Sequence, residues 1–440
     1  MRNSESSLFI PHSAFRTAMG CLLSVSLSGC ATWPREWGTR ACCIDTKPHI
    51  TRQPIGWHLF DVTVVSQIKR AFQVVRIGRK LFGVPVRSLN LQNGEVTASA
   101  FLTGHDPAHL SPEEVRWGPT RPEDLARPPF TISKPKTEGK TPGFFVTDAR
   151  GARYLLKLDP ANAPELLSGA EVVTSKLLYA LGYRVPSYEI LQFDSKDLRI
   201  APGVVAKEAH GRSHPFTSEE LQALLEPRLR DGRVRVAASK ILDGDILGPA
   251  PFKRFRDCAE IRALKVAYAW VNDIDTKDHN SLLVWDGKET VGYLIDFGTS
   301  LGADAGLAAP KRPCEGWQYV VDFKELSLEL LTLGAHRSAC DPKERPVDSQ
   351  VGLFSRRVDP DRWKPYAPNL AFAEINRDDT RWIARRLARL SRAQIEAAVS
   401  AGQYSNPEDA AYLTETLDQR RLAIVDHYLV EPMREASQSR

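Results

Sequence analysis

Between Asn272 and Gly298 the chain sets chemistry-bearing side chains in a fixed order, and that order constrains folding more than any other stretch. Asp275-Thr276-Lys277-Asp278-His279-Asn280 gives a carboxylate, a lysine two residues on and an amide five residues on. Sixteen residues past Asn280 begins Asp296-Phe297-Gly298. The apolar run between them, 282–295, holds Asp286-Gly287 at its middle, a hairpin-turn signal. A hairpin there would return Asp296 to the level of the loop that carries Asp275 and Asn280. The pieces are individually weak; their order and spacing make them specific.

Phosphoryl transfer uses these residue types. One carboxylate orients the attacking hydroxyl, which suits Asp275. A cation, Lys277, offsets charge on the moving group. An amide oxygen and a second carboxylate, Asn280 and Asp296, hold magnesium against the phosphates. Upstream, Tyr154-Leu155-Leu156-Lys157-Leu158 sets a lysine inside an apolar strand, where an ammonium needs an anionic partner. The following helix offers Glu171, with Glu165 as a rival. Gly139 and Gly143, in Gly139-Lys140-Thr141-Pro142-Gly143, lie between two strand-like runs where backbone can approach a phosphate. Ser239–Gly244 is a candidate inter-lobe hinge for adenine.

On these residues, positions 130–302 resemble the protein-kinase-like superfamily. The compact spacing and the D-x-K-x-x-N loop without His-Arg ahead of the Asp are more similar to its HipA-type, aminoglycoside-phosphotransferase-type and phosphoinositide-kinase-type branches. The resemblance implies an α+β fold of two lobes, a small strand-rich N-lobe and a larger, mainly helical C-lobe. It also implies ATP and Mg2+ as cofactors, Asp275 as catalytic base, Asn280 and Asp296 as metal ligands, and Lys157 with Glu171 as the phosphate-anchoring pair. Asp273 competes with Asp275 for the base role, the spacing to Asn280 favouring Asp275. The stretch after Gly298 lacks an activation-loop signature.

The organisation read from the chain is a lipoprotein-type signal at 1–30, a linker and N-terminal extension at 31–129, an N-lobe at 130–248 and a helical C-lobe at 249–440. The signal reading rests on Arg16, the short apolar run Ala18–Leu27, and Leu27-Ser28-Gly29-Cys30, after which Cys30 would carry lipid. That predicts a lipid-anchored protein of the cell envelope, with an unprocessed cytoplasmic chain as the alternative. Within the extension, Asp61–Phe82 reads as a basic amphipathic helix, able to lie on a membrane but more commonly packed on its own domain. Net charge is +5, with the basic surplus concentrated in the first 150 residues. A hydrophobic share of 42% fits a folded body rather than a disordered chain. None of the seven cysteines forms a C-x-x-C pair, which argues against a zinc ribbon. A disulfide at Cys42 or Cys43 is compatible with export, its partner unread. Basic residues near Arg228–Arg235 lack interleaved aromatics, so nucleic acid is not an expected partner.

The expected function is therefore an ATP/Mg-dependent phosphotransferase acting on a protein or small-molecule hydroxyl of unread identity. The alternative is an inactive nucleotide-binding or scaffolding lipoprotein. The complete Lys–Glu–Asp–Asn–Asp set favours the enzyme.

Overall fold

A computed structural model describes residues 42–136, 140–207, 212–333, 335, 340 and 342–430. Cys30 and the apolar run before it lie outside the described residues. The described chain opens with a helical run of α1 (Ile55–Phe60), a π-helical turn (Asp61–Val65), α2 (Ser66–Ala71) and α3 (Val74–Leu81). Packing of its apolar stripe inward, the commoner arrangement for such a helix, is not what is found. Phe72, Val75, Leu81 and Phe82 face outward. The cations face the body: Arg70 Nη2 and Arg76 Nε reach the Glu374 carboxylate at 3.2 and 3.4 Å. A carboxylate, rather than apolar surface, waits on the inner side and sets the helix's orientation.

Reading 31–129 as linker and extension also needs correction, because its described part is woven into the body. Ile44 bridges Thr290, Cys42 O accepts from Ala100 N at 2.7 Å, and Ala100 O accepts from Gly292 N at 2.9 Å. Cys42 is disulfide-bonded to Cys258, with Cα atoms 5.6 Å apart. Phe101 is fully buried against Phe252 and Phe255. Isolated bridges of this kind have no period, so a search for periodicity passes over them. Within 105–129 lies α4 (Pro112–Trp117), started by a Ser111/Glu114 capping box.

The strand-rich lobe holds β1 (Phe130–Pro135), β2 (Gly143–Thr147), β3 (Arg153–Leu158), the buried helix α5 (Leu166–Ala180), β4 (Tyr188–Asp194), β5 (Leu198–Ile200), α6 (Ser218–Leu225) and β6 (Arg233–Lys240). Its six-stranded sheet runs β4-β6-β3-β2-β1-β5, antiparallel except where β1 meets β5. Strand periodicity decides which way β3 faces. Tyr154, Leu156 and Leu158 bury in the sheet's own core with Phe130, Ile132 and Phe144. Lys157 lies on the other face, paired in register with Gly143 and Ala237.

The boundary drawn at 248 cuts a second, three-stranded sheet. There β7 (Asp245–Gly248) pairs with β8 (Ser281–Trp285), which pairs with β9 (Thr290–Leu294), antiparallel throughout. The turn between β8 and β9 starts at Asp286-Gly287, as its sequence suggests. Between β7 and β8 runs α7 (Ala259–Val271), and beyond β9 come α8 (Phe323–Leu331), α9 (Arg377–Arg389), α10 (Arg392–Ser400) and α11 (Pro407–Val425). Ser391 and Asn406 cap α10 and α11 through their side chains. Trp270, Trp382, Leu387, Ile395 and Leu417 join α5 in the larger core. Each such buried side chain stabilises by about 1.5–3 kcal/mol. The result is the two-lobed α+β arrangement expected of a kinase-like fold.

Candidate active site

Two segments far apart in sequence converge on Lys157. Its Nζ lies 2.7 Å from Glu171 Oε1 on α5 and 2.8 Å from Asp296 Oδ1 just past β9. The rival Glu165 is turned away; its Oε2 accepts from Ser405 N at 3.0 Å. Glu165 also sits at positive φ immediately ahead of α5, so the helix begins two residues after Pro164. Burial disfavours the Lys157 charge, but the Asp296 and Glu171 carboxylates outweigh it and hold the ammonium above the ordinary lysine range. Burial likewise opposes charge on Asp296, yet Lys157 and Lys277 hold it below the usual carboxylate range. Its side chain is 40% exposed toward the cleft, so solvent screens part of that attraction. Glu171, with 3% exposure, is pushed up by desolvation.

Asp296 adopts φ +64°, the left-handed region that Asp tolerates better than most residues. That turn sends Phe297 into the core, where its ring tilts against Tyr188 at 5.9 Å, while the Asp296 carboxylate stays in the cleft. Tyr188 was not singled out in the sequence. Its hydroxyl accepts from Asp296 N at 3.4 Å and favours charge on the nearby Glu171 carboxylate. The available signal was an aromatic residue opening a strand straight after the Glu171 helix.

The loop that carries the other residues begins where Asn272, at φ +52°, ends α7. Asp273 turns inward with 1% exposure; its Oδ1 accepts from Thr299 Oγ1 at 2.8 Å and Asp275 N at 3.4 Å, and burial raises its pKa to about 7. Asp275 faces outward, ion-paired with Lys277, and both line the cleft alongside Lys157, Glu171 and Asp296. Geometry thus separates the two competing aspartates: Asp273 braces the loop and Asp275 faces the open space.

Asn280 is 3% exposed and linked to both halves. Its Nδ2 donates to Asp275 O at 2.7 Å and Asp296 O at 3.4 Å. Its Oδ1 is buried without a hydrogen-bond partner. An orphaned amide oxygen costs stability unless something occupies it. Asn280 does not itself line the cleft and touches Asp296 through the backbone carbonyl, but an amide oxygen of this kind and the Asp296 carboxylate are donor types that suit a hard cation taking its remaining ligands from phosphate and water. Among the described residues no group of three or more His, Cys, Asp or Glu is placed to hold a metal ion.

The glycines fare differently. Gly139 lies outside the described residues. Gly143 is the first residue of β2, and a Cβ there would come within 2.4 Å of Leu156 O on the neighbouring strand. Strand packing, not phosphate approach, therefore explains that glycine, and the residues of this loop that line the cleft are Lys136 and Thr141. On β6 the cleft is lined by Ala237, two residues before the proposed Ser239–Gly244 hinge, whose Lys240 instead pairs with Asp124 at 2.6 Å.

The cleft is open to solvent and adjoins a wider groove that shares Asp275 and Lys277. The groove's walls come from residues 49–53, from Pro251 to Arg254 and from Tyr366 to Leu370. At its far side His58 is lowered to about 4, by burial first and then by His279, and burial lifts Asp278 to about 7.

Neither a family model nor a curated protein matches the chain. Among solved structures, the Helicobacter pylori proinflammatory kinase CtkA is similar at a TM-score of 0.38 and 12% identity, over 71% of this chain and 98% of that one. The golgi casein kinase is similar at 0.26 and 9%, over 89% and 96%. Both neighbours are kinases, but at such scores the likeness lends no weight to a mechanism. The geometry of the cleft has to carry it.

Proposed function

We propose that the chain is an ATP- and magnesium-dependent phosphotransferase whose acceptor is a hydroxyl. One observation carries the reading: Lys157 is clasped by Glu171 and Asp296 on the wall of a cleft that Asp275 and Lys277 also line. Lys157, held charged by its two partners, binds the phosphates nearest the nucleoside. Asn280 Oδ1 and the Asp296 carboxylate would hold magnesium, which when bound neutralises phosphate charge and orients the terminal group. The acceptor hydroxyl enters from the adjoining groove and gives its proton to Asp275. Its oxygen bonds the terminal phosphorus as the bond to ADP breaks. Lys277, paired with Asp275 at rest, offsets charge on the moving group.

For location we propose the cell envelope, with lipid on Cys30. Supporting this are the Leu27–Cys30 pattern and two disulfides, Cys42–Cys258 and Cys314–Cys340, which suit an oxidising compartment. Mass spectrometry of the mature N-terminus checks it; an intact residue 1–29 segment on a cytoplasmic protein overturns it.

The decisive experiment incubates the purified full chain with ATP labelled in its terminal phosphate, magnesium and cell extract. Label transfer that needs magnesium is expected. If no nucleotide binds even with magnesium present, the phosphotransferase reading fails and an inert scaffold replaces it.

A further inference from the structure

The helical run α1–α3 is amphipathic in the reverse sense of a helix packed on its own domain. Val74, Ile77 and Leu81 follow one another at helical spacing and are all exposed, Leu81 at 78%. Val75 is 76% exposed and Phe82, just past the helix, 84%. The opposite arc of α3 bears Arg76, fixed with Arg70 on Glu374. Exposed apolar residues continue before α3 at Trp57, Ile68 and Phe72, and after it at Val84 and Leu89. A soluble surface rarely leaves so many neighbouring large apolar residues uncovered without a partner for them.

Charge identifies that partner. From Val62 to Gly94 the sequence has six Lys or Arg and no Asp or Glu. Lys69 and Arg87 are exposed and Arg79 is half-buried, so positive charge flanks the apolar ridge. Trp57 stands exposed at its leading end, the residue type most at home where hydrocarbon meets headgroup. Protruding side chains, scattered along three helices and the links beside them, would need a closely matched groove on a protein partner. A bilayer accepts them without shape matching. No described helix is long and apolar enough to cross a membrane, so the contact is a lying-on one.

We infer that residues 57–89 form a docking surface for an anionic lipid bilayer, with the apolar side of α3 sunk among the acyl chains and the flanking cations at the headgroups. This contact is separate from any lipid on Cys30. It would hold the body against the membrane rather than merely near it.

The test uses the full chain carrying Cys30→Ser, so that no lipid on that residue contributes. Its co-sedimentation is measured with vesicles of phosphatidylcholine alone and of phosphatidylcholine mixed with phosphatidylglycerol. Binding at least about tenfold tighter to the anionic vesicles, and weakened by salt, is expected. Adding Val75→Glu with Leu81→Glu should reduce it by roughly tenfold or more, because two charges then enter hydrocarbon. An unchanged thermal melt confirms that the double variant is folded. If the melt shifts, Phe82→Glu alone, outside the helix, provides the same comparison. Absence of binding to either vesicle overturns the inference, as does equal binding by parent and variant. A parent that is dimeric by light scattering and a variant that is monomeric also overturn it, giving the surface to a second copy of the chain.

Discussion

Strand β3 and helix α3 are written alike, cations set among large apolar residues, and the protein uses them in opposite ways. On β3 the apolar row goes into the sheet's core and Lys157 faces a cleft that supplies two carboxylates. On α3 the cation side faces inward to one carboxylate, Glu374, and the apolar side faces out. In each case the charge went where an anion was, and the apolar row took the remaining side. Periodicity divides an element into two faces; the neighbour's chemistry decides which face is inside.

The sharpest way to break the comparison is at the cleft. Asp296→Ala removes the carboxylate proposed to hold magnesium and one of the two anions holding Lys157. Calorimetric titration should then find magnesium-dependent nucleotide binding abolished, with the fold checked by circular dichroism. Retained binding would mean the convergence on Lys157 is structural only.

The next largest effect separates the two aspartates of the loop. Asp275→Asn is expected to leave nucleotide binding nearly intact and to lower turnover by roughly 100-fold or more, the usual weight of general-base help. Asp273→Asn keeps the size of a buried group that does not face the cleft and should change turnover far less. If the two rank the other way in steady-state assays, Asp273 is the base.

A smaller effect is expected where the helical run rejoins the body. Glu260 on α7 accepts from Asn90 Nδ2 and Ser99 Oγ, each at 2.7 Å, and burial raises its pKa to about 7. The folded chain therefore keeps a proton on Glu260 that the unfolded chain releases above its ordinary carboxylate pKa. That favours folding less and less as pH rises toward 7, and the loss is complete above it. Glu260→Gln should remove this loss. Unfolding free energies of variant and parent, from denaturant titration, should diverge in the variant's favour from pH 5 to pH 8, by an amount on the order of a few kcal/mol. A difference independent of pH would show that Glu260 is ionised throughout.

The smallest effect sharpens the other side of the comparison. Glu374→Gln should cost about 1 kcal/mol or less in global stability, since the pair is only partly buried. Hydrogen exchange should nonetheless speed up across residues 66–81 while nucleotide binding is unchanged. Unaltered exchange there would mean that Glu374 does not orient the run.

Much of this was legible in the sequence where contacts are local or obey a period. The β8–β9 turn, the caps at Ser391 and Asn406, and the Lys157–Glu171 pair all follow from rules that act within a few turns of the chain. The spacing from Asp275 to Asn280 and on to Asp296 was legible because a hairpin of fixed length has one geometry. The threading of residues 42–103 through the body was not, since it depends on single bridges and one disulfide to residues far along the chain. Gly143 misled for another reason. A glycine beside a loop fits a phosphate-binding turn and a crowded strand pair equally well, and only the position of Leu156 O tells them apart. Tyr188 was hidden because its part depends on both Glu171 and Asp296, which meet only in three dimensions.

The Cys42–Cys258 bond closes a covalent ring 216 residues around. That ring includes the whole six-stranded sheet and α5, so both Lys157 and Glu171 are on it, while Asp275 and Asp296 lie on the tail that leaves it. A protease that nicks one exposed loop inside the ring linearises it without releasing either piece. Nicked protein should run at full mass on a denaturing gel until a reductant is added, then fall into two fragments. In a compartment that contains peptidases, the bond makes a single cut survivable.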